Sequence, residues 1–546
     1  MKNIEPYLRA EIAAAIPGGL PHDYDIELEI PRDAAHGDLS TNIALRLAKH
    51  LKTAPTKIAN SICKNFKIDP DYIDRVDFAG PGFINFTYSR KYLHSIAQNI
   101  LDLEGDYGAC DKGEGLKVNL EFVSANPTGP LNVVSARAAA LGDSLKRILN
   151  KCGYKADSEF YVNDAGKQIQ KLGHSVLVRY AENKGIKSIA FPDDGYQGDY
   201  IKEIAAGYEL PGDIDWNKID DEMMMRAGSY AVEQNCADQK MNLSQFKVEF
   251  DAWVRESSIR ESNGHLSIKD KLIAADLTYR KDGAIYFKST AFGDDEDRVI
   301  WTSDDRPTYL LPDIAYHQNK YDRGFELLVD IWGPDHHGYI ARMKAALQAL
   351  GHNEESFNVI IAQQVNLVRD GEKVKMSKRA GDMVTMKELI DEVGVDAARF
   401  FFLQRKPSAH LDFDIDLAIK ETEENPVFYI QYAHARICSI ERLAMEEKTS
   451  FVPAWETLSE EGEYNLIRKA AEFPSVVEVC ARTLEPQRMT VYLQDLASAF
   501  HGFYQKYRVV TSDPALSSAR LGICRSVKWV IFAGLQLLGV SAPERM

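Results

Sequence analysis

Residues 116–162 read LKVNLEFVSANPTGPLNVVSARAAALGDSLKRILNKCGYKADSEFYV, and this stretch decides the fold. Val118, Leu120 and Phe122 alternate with Lys117, Asn119 and Glu121, the period-two pattern of a half-buried strand. The run Ser124-Ala-Asn-Pro-Thr-Gly-Pro130 breaks it. From about Ser135 the period changes: Ala138, Leu141, Leu145, Ile148 and Cys152 recur every three or four residues. Gly153 then suits a helix C-terminus. Phe160-Tyr161-Val162 opens a second strand. Strand, helix and strand make one βαβ unit, and hence half of a nucleotide-binding parallel sheet.

A second half follows downstream. Residues 326–332 (ELLVDIW) form a buried-strand run, and 333–338 (GPDHHG) form a loop. Ile340, Met343, Leu347 and Leu350 mark a helix that ends at Gly351, and 358–362 (NVIIA) mark the next strand. Asp370-Gly371 turns a hairpin into Lys373-Val-Lys-Met-Ser-Lys-Arg379. Between the halves, about 185–300 reads as an insertion, with an acidic run at 294–297 and a hairpin turn at Asp282-Gly283. The N-terminal segment to about Arg90 is α+β. Leu28-Glu29-Ile30-Pro31 reads as a short strand, and 74–86 as two strands around Ala79-Gly-Pro-Gly82. A helix after Thr41 places Arg46, Lys49 and Lys52 on a shared face, and Lys57, Lys64 and Lys67 continue the basic series. Past Glu421 strand signals fade, and 429–445, 465–482 and 489–507 are amphipathic, as in a helical bundle. The expected architecture is α/β: a Rossmann-like catalytic domain over 115–420, an α+β domain over 1–90 and an all-α domain over 421–546.

The chain has 546 residues, too many for one core. Its 45% hydrophobic and 27% charged residues exclude wholesale disorder. The net charge of −16 argues against nucleic-acid binding by the molecule as a whole, but binding follows local patches. The seven cysteines lie at least 42 residues apart, which excludes zinc-ribbon spacing and a disulfide framework. No uninterrupted apolar run of membrane-spanning length is present, and the N-terminus lacks a secretory h-region. A cytoplasmic protein is expected.

Four motifs carry chemistry. Lys375-Met-Ser-Lys-Arg379 sets two lysines around a hydroxyl, which suits a triphosphate losing pyrophosphate; a basic surface loop is the bland alternative. Residues 126–137 join a strand to a helix N-terminus, where N–H groups favour phosphate; a rigid Pro/Gly connector is the alternative. Tyr309-Leu-Leu-Pro-Asp313 offers an acid beside apolar residues, a cation receptor or a mere cap. Trp332-Gly-Pro-Asp-His-His337 follows a strand C-terminus, where open α/β sheets bind ligands. Adjacent histidines do not face one another, so a nucleotide contact outweighs a metal.

The order of these pieces resembles the arginyl-tRNA synthetases, of class I. The resemblance covers nearly the whole chain: residues 121–131 (EFVSANPTGPL), 161–168 (YVNDAGKQ), 313–317 (DIAYH), 330–338 (DIWGPDHHG), 375–381 (KMSKRAG), 428–436 (FYIQYAHAR), 500–504 (FHGFY) and 542–546 (APERM). It implies an aminoacyl-tRNA ligase of protein biosynthesis. L-arginine would be activated with ATP and its Mg2+, then transferred to the 3′ end of tRNA(Arg). It further implies arginine binding by Glu121, Asn126, Tyr309 and Asp313. ATP binding would fall to Asn126, Pro127, Thr128, Gly129, Pro130, Leu131, Asn132, Val133, Val134, Ser135, Gly333, Asp335, Met376 and Ser377. Catalytic roles fall to Lys375, Lys378, Asn132 and Ser135, and tRNA contacts to Arg46, Lys49, Tyr429, Tyr432 and Arg436. No resident metal, structural zinc or membrane is implied, and a monomer is expected.

One departure stands out. The family's first signature is His-x-Gly-His, and here it reads Asn132-Val-Val-Ser135. Asn132 and Ser135 donate hydrogen bonds without charge, and Val134 adds bulk where glycine would let the backbone approach adenine. Two rival readings therefore remain, a non-catalytic RNA-binding or regulatory paralogue and a nucleotidyltransferase of another small molecule. The basic loop with both Lys375 and Lys378, the acidic pocket with Tyr309 and Asp313, and both RNA-facing ends favour an active ligase.

Overall fold

A computed structural model describes residues 4–31, 33–186, 189–210, 216, 219–374 and 384–546. The N-terminal part is an antiparallel sheet of β1 (Leu39–Thr41), β2 (Ile73–Ala79) and β3 (Phe83–Tyr88), in the order β1-β3-β2. Helices Ile4–Ala15 and Pro55–Asn65 accompany it. The expected strand at 28–31 reduces to one bridge, Glu29 to Ser40. Helix Ile43–Leu47 spans only five residues and Lys52 has φ 46°, so Arg46, Lys49 and Lys52 share no helical face.

Five parallel strands form the central sheet: β4 (Lys117–Glu121), β5 (Lys155–Val162) and β6 (Ala252–Arg255), then, after an antiparallel sheet of β7 (Thr278–Lys281), β8 (Ala284–Phe287) and β9 (Arg298–Trp301), the strands β10 (Leu327–Trp332) and β11 (Phe357–Ile361). Their order is β11-β10-β4-β5-β6. Helix Val133–Lys151 crosses from β4 to β5, and its C-terminus turns at Gly153 with φ 84°. The stretch 185–300 is more than an insertion. It contributes β6, the edge strand beside β5, because Ala252-Trp-Val-Arg255 pairs with Glu159–Val162. It also contributes the 25-residue helix Asp221–Gln245. A third small sheet joins β12 (Val365–Arg369), β13 (Glu372–Lys373) and β14 (Leu411–Asp414). Type I′-like turns close the hairpins at Asp282-Gly283 and Asp370-Gly371, where all four residues have positive φ.

The C-terminal part is helical: Pro426–Glu446, Glu461–Ala471, Phe473–Thr483, Gln487–Lys506 and Pro514–Leu538. The run 465–482, which reads as one stretch, is two helices; a new helix starts at Phe473-Pro474, and proline fits a first turn but not an interior. Pro514–Leu538 is long and apolar enough to cross a membrane, yet 72% of its apolar window is buried within the protein. Buried Arg399 ties this bundle to the sheet domain. Its guanidinium donates to the Leu538 and Phe246 carbonyls and pairs with Asp143.

Candidate active site

β4 lies between β5 and β10, so the chain leaves its carboxyl end where the strand order reverses. That switch point is where open α/β sheets bind ligands. Glu121 and Asp330 are register partners on β4 and β10, so the loops after Glu121 and Trp332 emerge side by side.

The first loop is sprung at its root. Ser124 N–H donates to the Phe122 carbonyl (2.9 Å) across Val123, which has φ 67°. A β-branched residue rarely adopts that conformation, at a cost of about 1–3 kcal/mol. Ser124 Oγ in turn donates to Glu121 Oε1 (2.9 Å) and accepts from Tyr161 N–H (3.1 Å). Further on, side chains hold the loop's carbonyls. Gln239 donates to Asn126 O (3.2 Å) and Gly129 O (2.9 Å), Asn235 to Pro127 O (2.9 Å), and Tyr200 to Thr128 O (2.6 Å). A Cβ at Gly129 would meet the Tyr200 hydroxyl at 3.1 Å. The sequence offered no signal for Tyr200, Asn235 and Gln239: they are polar residues in an irregular stretch, and only the fold brings them to the loop.

Asn132 caps helix Val133–Lys151. Its Oδ1 accepts from Val134 N–H (2.9 Å), Ser135 N–H (3.0 Å) and Ser135 Oγ (3.3 Å). The donors that the helix end would offer to phosphate are therefore partly spent on its own cap. The Ser135 hydroxyl proton is engaged too, and the carboxamide nitrogen of Asn132 makes no hydrogen bond among the described residues. Asn132 also bridges to Thr385, and Met386 N–H donates to Leu131 O (2.8 Å), which ties the loop to helix Met386–Val393. Val134 is half-buried against the core rather than fully exposed to the cleft. Lys375, Met376, Ser377 and Lys378 lie outside the described residues. Gly333 ends β10 facing open space, and Asp335, His336 and His337 are exposed.

Asp313 sits in the first turn of helix Leu310–Asp322. Tyr339 donates to its Oδ2 (2.7 Å), yet burial lifts the carboxyl to about 6, with Glu121 and Glu256 adding to the rise. Tyr309, one turn earlier, is 84% exposed, and its hydroxyl makes no hydrogen bond among the described residues. Asn126 is likewise exposed. Glu121 is buried and already engaged: Lys320 Nζ donates to its Oε2 at 2.6 Å. Lys320 is fully buried and also pairs with Asp330 Oδ1 (3.0 Å), while His317 Nε2 meets Asp330 Oδ2 (2.8 Å). Glu159, one strand over, accepts from Tyr316, Arg323 and Asn119. Glu121, His317 and Asp330 lie close enough to hold a metal ion. The Lys320 ammonium joins the two carboxylates instead, so the set is a salt-bridge network.

The residues expected to meet RNA fall in two places. Arg46 is tied to Glu27 (3.0 Å) and the Asp25 carbonyl (3.0 Å), whereas Lys49 is exposed. On the bundle, Tyr432 stacks near Phe428 (6.2 Å) and His501 (5.9 Å), and Tyr429 packs on His501 (4.5 Å). Arg436 lies over both Tyr432 (4.8 Å) and Tyr504 (5.4 Å). These rings are half-buried and form one aromatic and cationic face.

Comparison with known proteins places this geometry. The class I (R) tRNA synthetase catalytic domain matches residues 97–408, which fixes the class as that of the class I aminoacyl-tRNA synthetases. The arginyl-tRNA synthetase N-terminal domain matches 2–88, and the DALR anticodon-binding domain matches 430–546. The arginine–tRNA ligase of Desulforamulus reducens is 44% identical over 99% of this chain and 97% of its own length. That of Bacillus pumilus is 44% identical over 100% and 99%. The solved Thermus thermophilus arginyl-tRNA synthetase shares the fold, with a TM-score of 0.80 over all of both chains at 20% identity. The chain belongs to the arginyl-tRNA synthetase family.

Proposed function

We propose that this chain is an active arginine–tRNA ligase despite its Asn-Val-Val-Ser signature. The arginine carboxylate attacks the α-phosphate of ATP, supplied as its magnesium complex, and pyrophosphate leaves. The terminal ribose hydroxyl of tRNA(Arg) then attacks the adenylate carbonyl and AMP leaves. No protein side chain enters a covalent intermediate; the protein positions the reactants and stabilises charge. The single observation that carries the reading is the acid Asp313, held by Tyr339 beside the switch-point loops. A planar carboxylate there suits a guanidinium fork better than an ammonium.

In this reading Asp313 takes the guanidinium, with Glu121, Asn126 and Tyr309 around it. Lys320 neutralises Glu121, so the unbalanced charge left for the substrate is that of Asp313. The loop 126–135 cradles ATP, Gly333 and Asp335 lie toward the nucleoside, and Met376 and Ser377 also bind ATP. Lys375 and Lys378 neutralise the leaving pyrophosphate. Asn132 supplies a donor through its amide nitrogen, and Ser135 acts through the cap. The domains run 1–90, 115–420 and 421–546. Lys49 and Arg46 at one end and Tyr429, Tyr432 and Arg436 at the other meet tRNA, with aromatic rings stacking on unpaired bases. The enzyme works as a cytoplasmic monomer and needs its tRNA even for activation. Lys378→Ala tests the phosphate assignment: activation should slow by about 10²-fold or more, with tRNA affinity held. A collapse of tRNA binding with activation intact would overturn it.

A further inference from the structure

Helix Leu310–Asp322 carries Asp313, His317 and Lys320; His317 and Lys320 engage Asp330 and Glu121 deep in the sheet domain, and Asp313 accepts from Tyr339 beyond β10. His317 Nδ1 lies 2.8 Å from the Asp313 backbone carbonyl, and its Nε2 lies 2.8 Å from Asp330 Oδ2. A carbonyl and a carboxylate only accept, so both ring nitrogens donate and the ring is an imidazolium. Asp330 accepts from this imidazolium on one oxygen and from the Lys320 ammonium on the other. The ammonium in turn holds Glu121 at 2.6 Å. Asp330 and Lys320 are fully buried, and His317 nearly so. Phe357 covers the imidazole at 5.3 Å, and Tyr316 lies under the ammonium at 4.7 Å. Two cations and two carboxylates balance, and Glu159, itself paired with Arg323, adds its charge beside Lys320.

The geometry points to Asp330 as a positioning residue for the amino-acid pocket: from one strand it fixes Glu121 through Lys320 and the Asp313 turn through His317. It touches no substrate. Both acidic walls of the pocket are tied to its two oxygens, so β10 sets their separation from below while Ser124 and Tyr339 hold the Glu121 and Asp313 carboxylates from above. This deepens the proposed ligase reading and rests on it. A carboxylate that served only to stabilise the core would affect arginine and ATP alike. A carboxylate that spaces these walls acts on arginine, because its two links end on Glu121 and the Asp313 turn and reach no residue assigned to ATP.

Asp330→Asn tests this isosterically. An amide can still accept from Lys320, and its NH2 then faces His317, which keeps its Nδ1 donor to Asp313 by losing the Nε2 proton. In pyrophosphate exchange with arginine and cognate tRNA, KM for arginine should rise about ten-fold or more while KM for ATP stays within about two-fold. His317→Asn keeps a side-chain donor for the Asp313 carbonyl and drops the link to Asp330 together with the imidazolium charge. It should raise KM for arginine about three-fold or more, and it covers the case in which Asp330→Asn fails to fold. Equal changes in both KM values, or a fall in kcat alone, in a variant that melts like the parent would overturn the assignment. Absence of arginine-dependent exchange in the unaltered enzyme would instead remove the ligase reading, and this inference with it.

Discussion

At the scale of single residues, Asp313 decides most. Its carboxyl sits at about 6 because burial outweighs the help it receives from Tyr339 and His317. In the proposed reading arginine pairs with the carboxylate, so below this value a proton must leave on binding. KM for arginine should therefore fall as pH rises from about 5 to about 7, by at most about ten-fold per unit below 6, and then level. The unliganded fold moves the other way. The native state holds a proton that the unfolded chain has released, so this group's contribution is full below the ordinary carboxylate range and fades as pH rises to about 6. Asp313→Asn should abolish the pH dependence of KM and weaken arginine binding about ten- to a hundred-fold, with ATP binding little changed; isothermal titration with each ligand checks it. Asp313 stands out from its motif as a candidate. Its partner Tyr339 does not, because it lies 26 positions further along the chain, past a sheet strand.

At the scale of elements, the helix Val133–Lys151 and the loop before it act as one piece. Asn132→Ala removes the acceptor of three hydrogen bonds and should cost about 1 kcal/mol of stability, read from denaturant unfolding, while also slowing activation. Asn132→His would restore a charged donor but not the cap. Gln239→Leu should free the carbonyls of Asn126 and Gly129 and raise KM for ATP without unfolding the protein, because the amide serves the loop and not the core. The βαβ unit was readable because period-two and period-3.6 patterns flank a Pro/Gly break. The basic stripe was misread. Arg46, Lys49 and Lys52 have helical spacing, but the helix stops at Leu47, and Arg46 spends its charge on Glu27. Spacing alone does not reveal where a short helix ends. Nor could a four-residue edge strand such as Ala252–Arg255 be distinguished from the acidic, irregular chain around it.

At the scale of the whole molecule, an acidic chain must still draw an anionic RNA to both ends. In the proposed reading the Tyr432–Arg436–Tyr504 face of the bundle, where Arg436 lies over both rings, would do so by stacking and local charge rather than by net charge. Tyr432→Ala should weaken tRNA binding by about 1–3 kcal/mol, measured by filter binding, and leave arginine and ATP affinity unaltered. That face was only half readable, since tyrosines on an amphipathic helix serve the core as often as a surface; here they do part of each. The central claim is that a neutral Asn-Val-Val-Ser signature still supports adenylate chemistry. Arginine-dependent exchange of labelled pyrophosphate into ATP, run with and without tRNA(Arg), measures it directly. Robust exchange that requires the tRNA is the expected result; tight tRNA binding with no exchange under any condition would contradict the account.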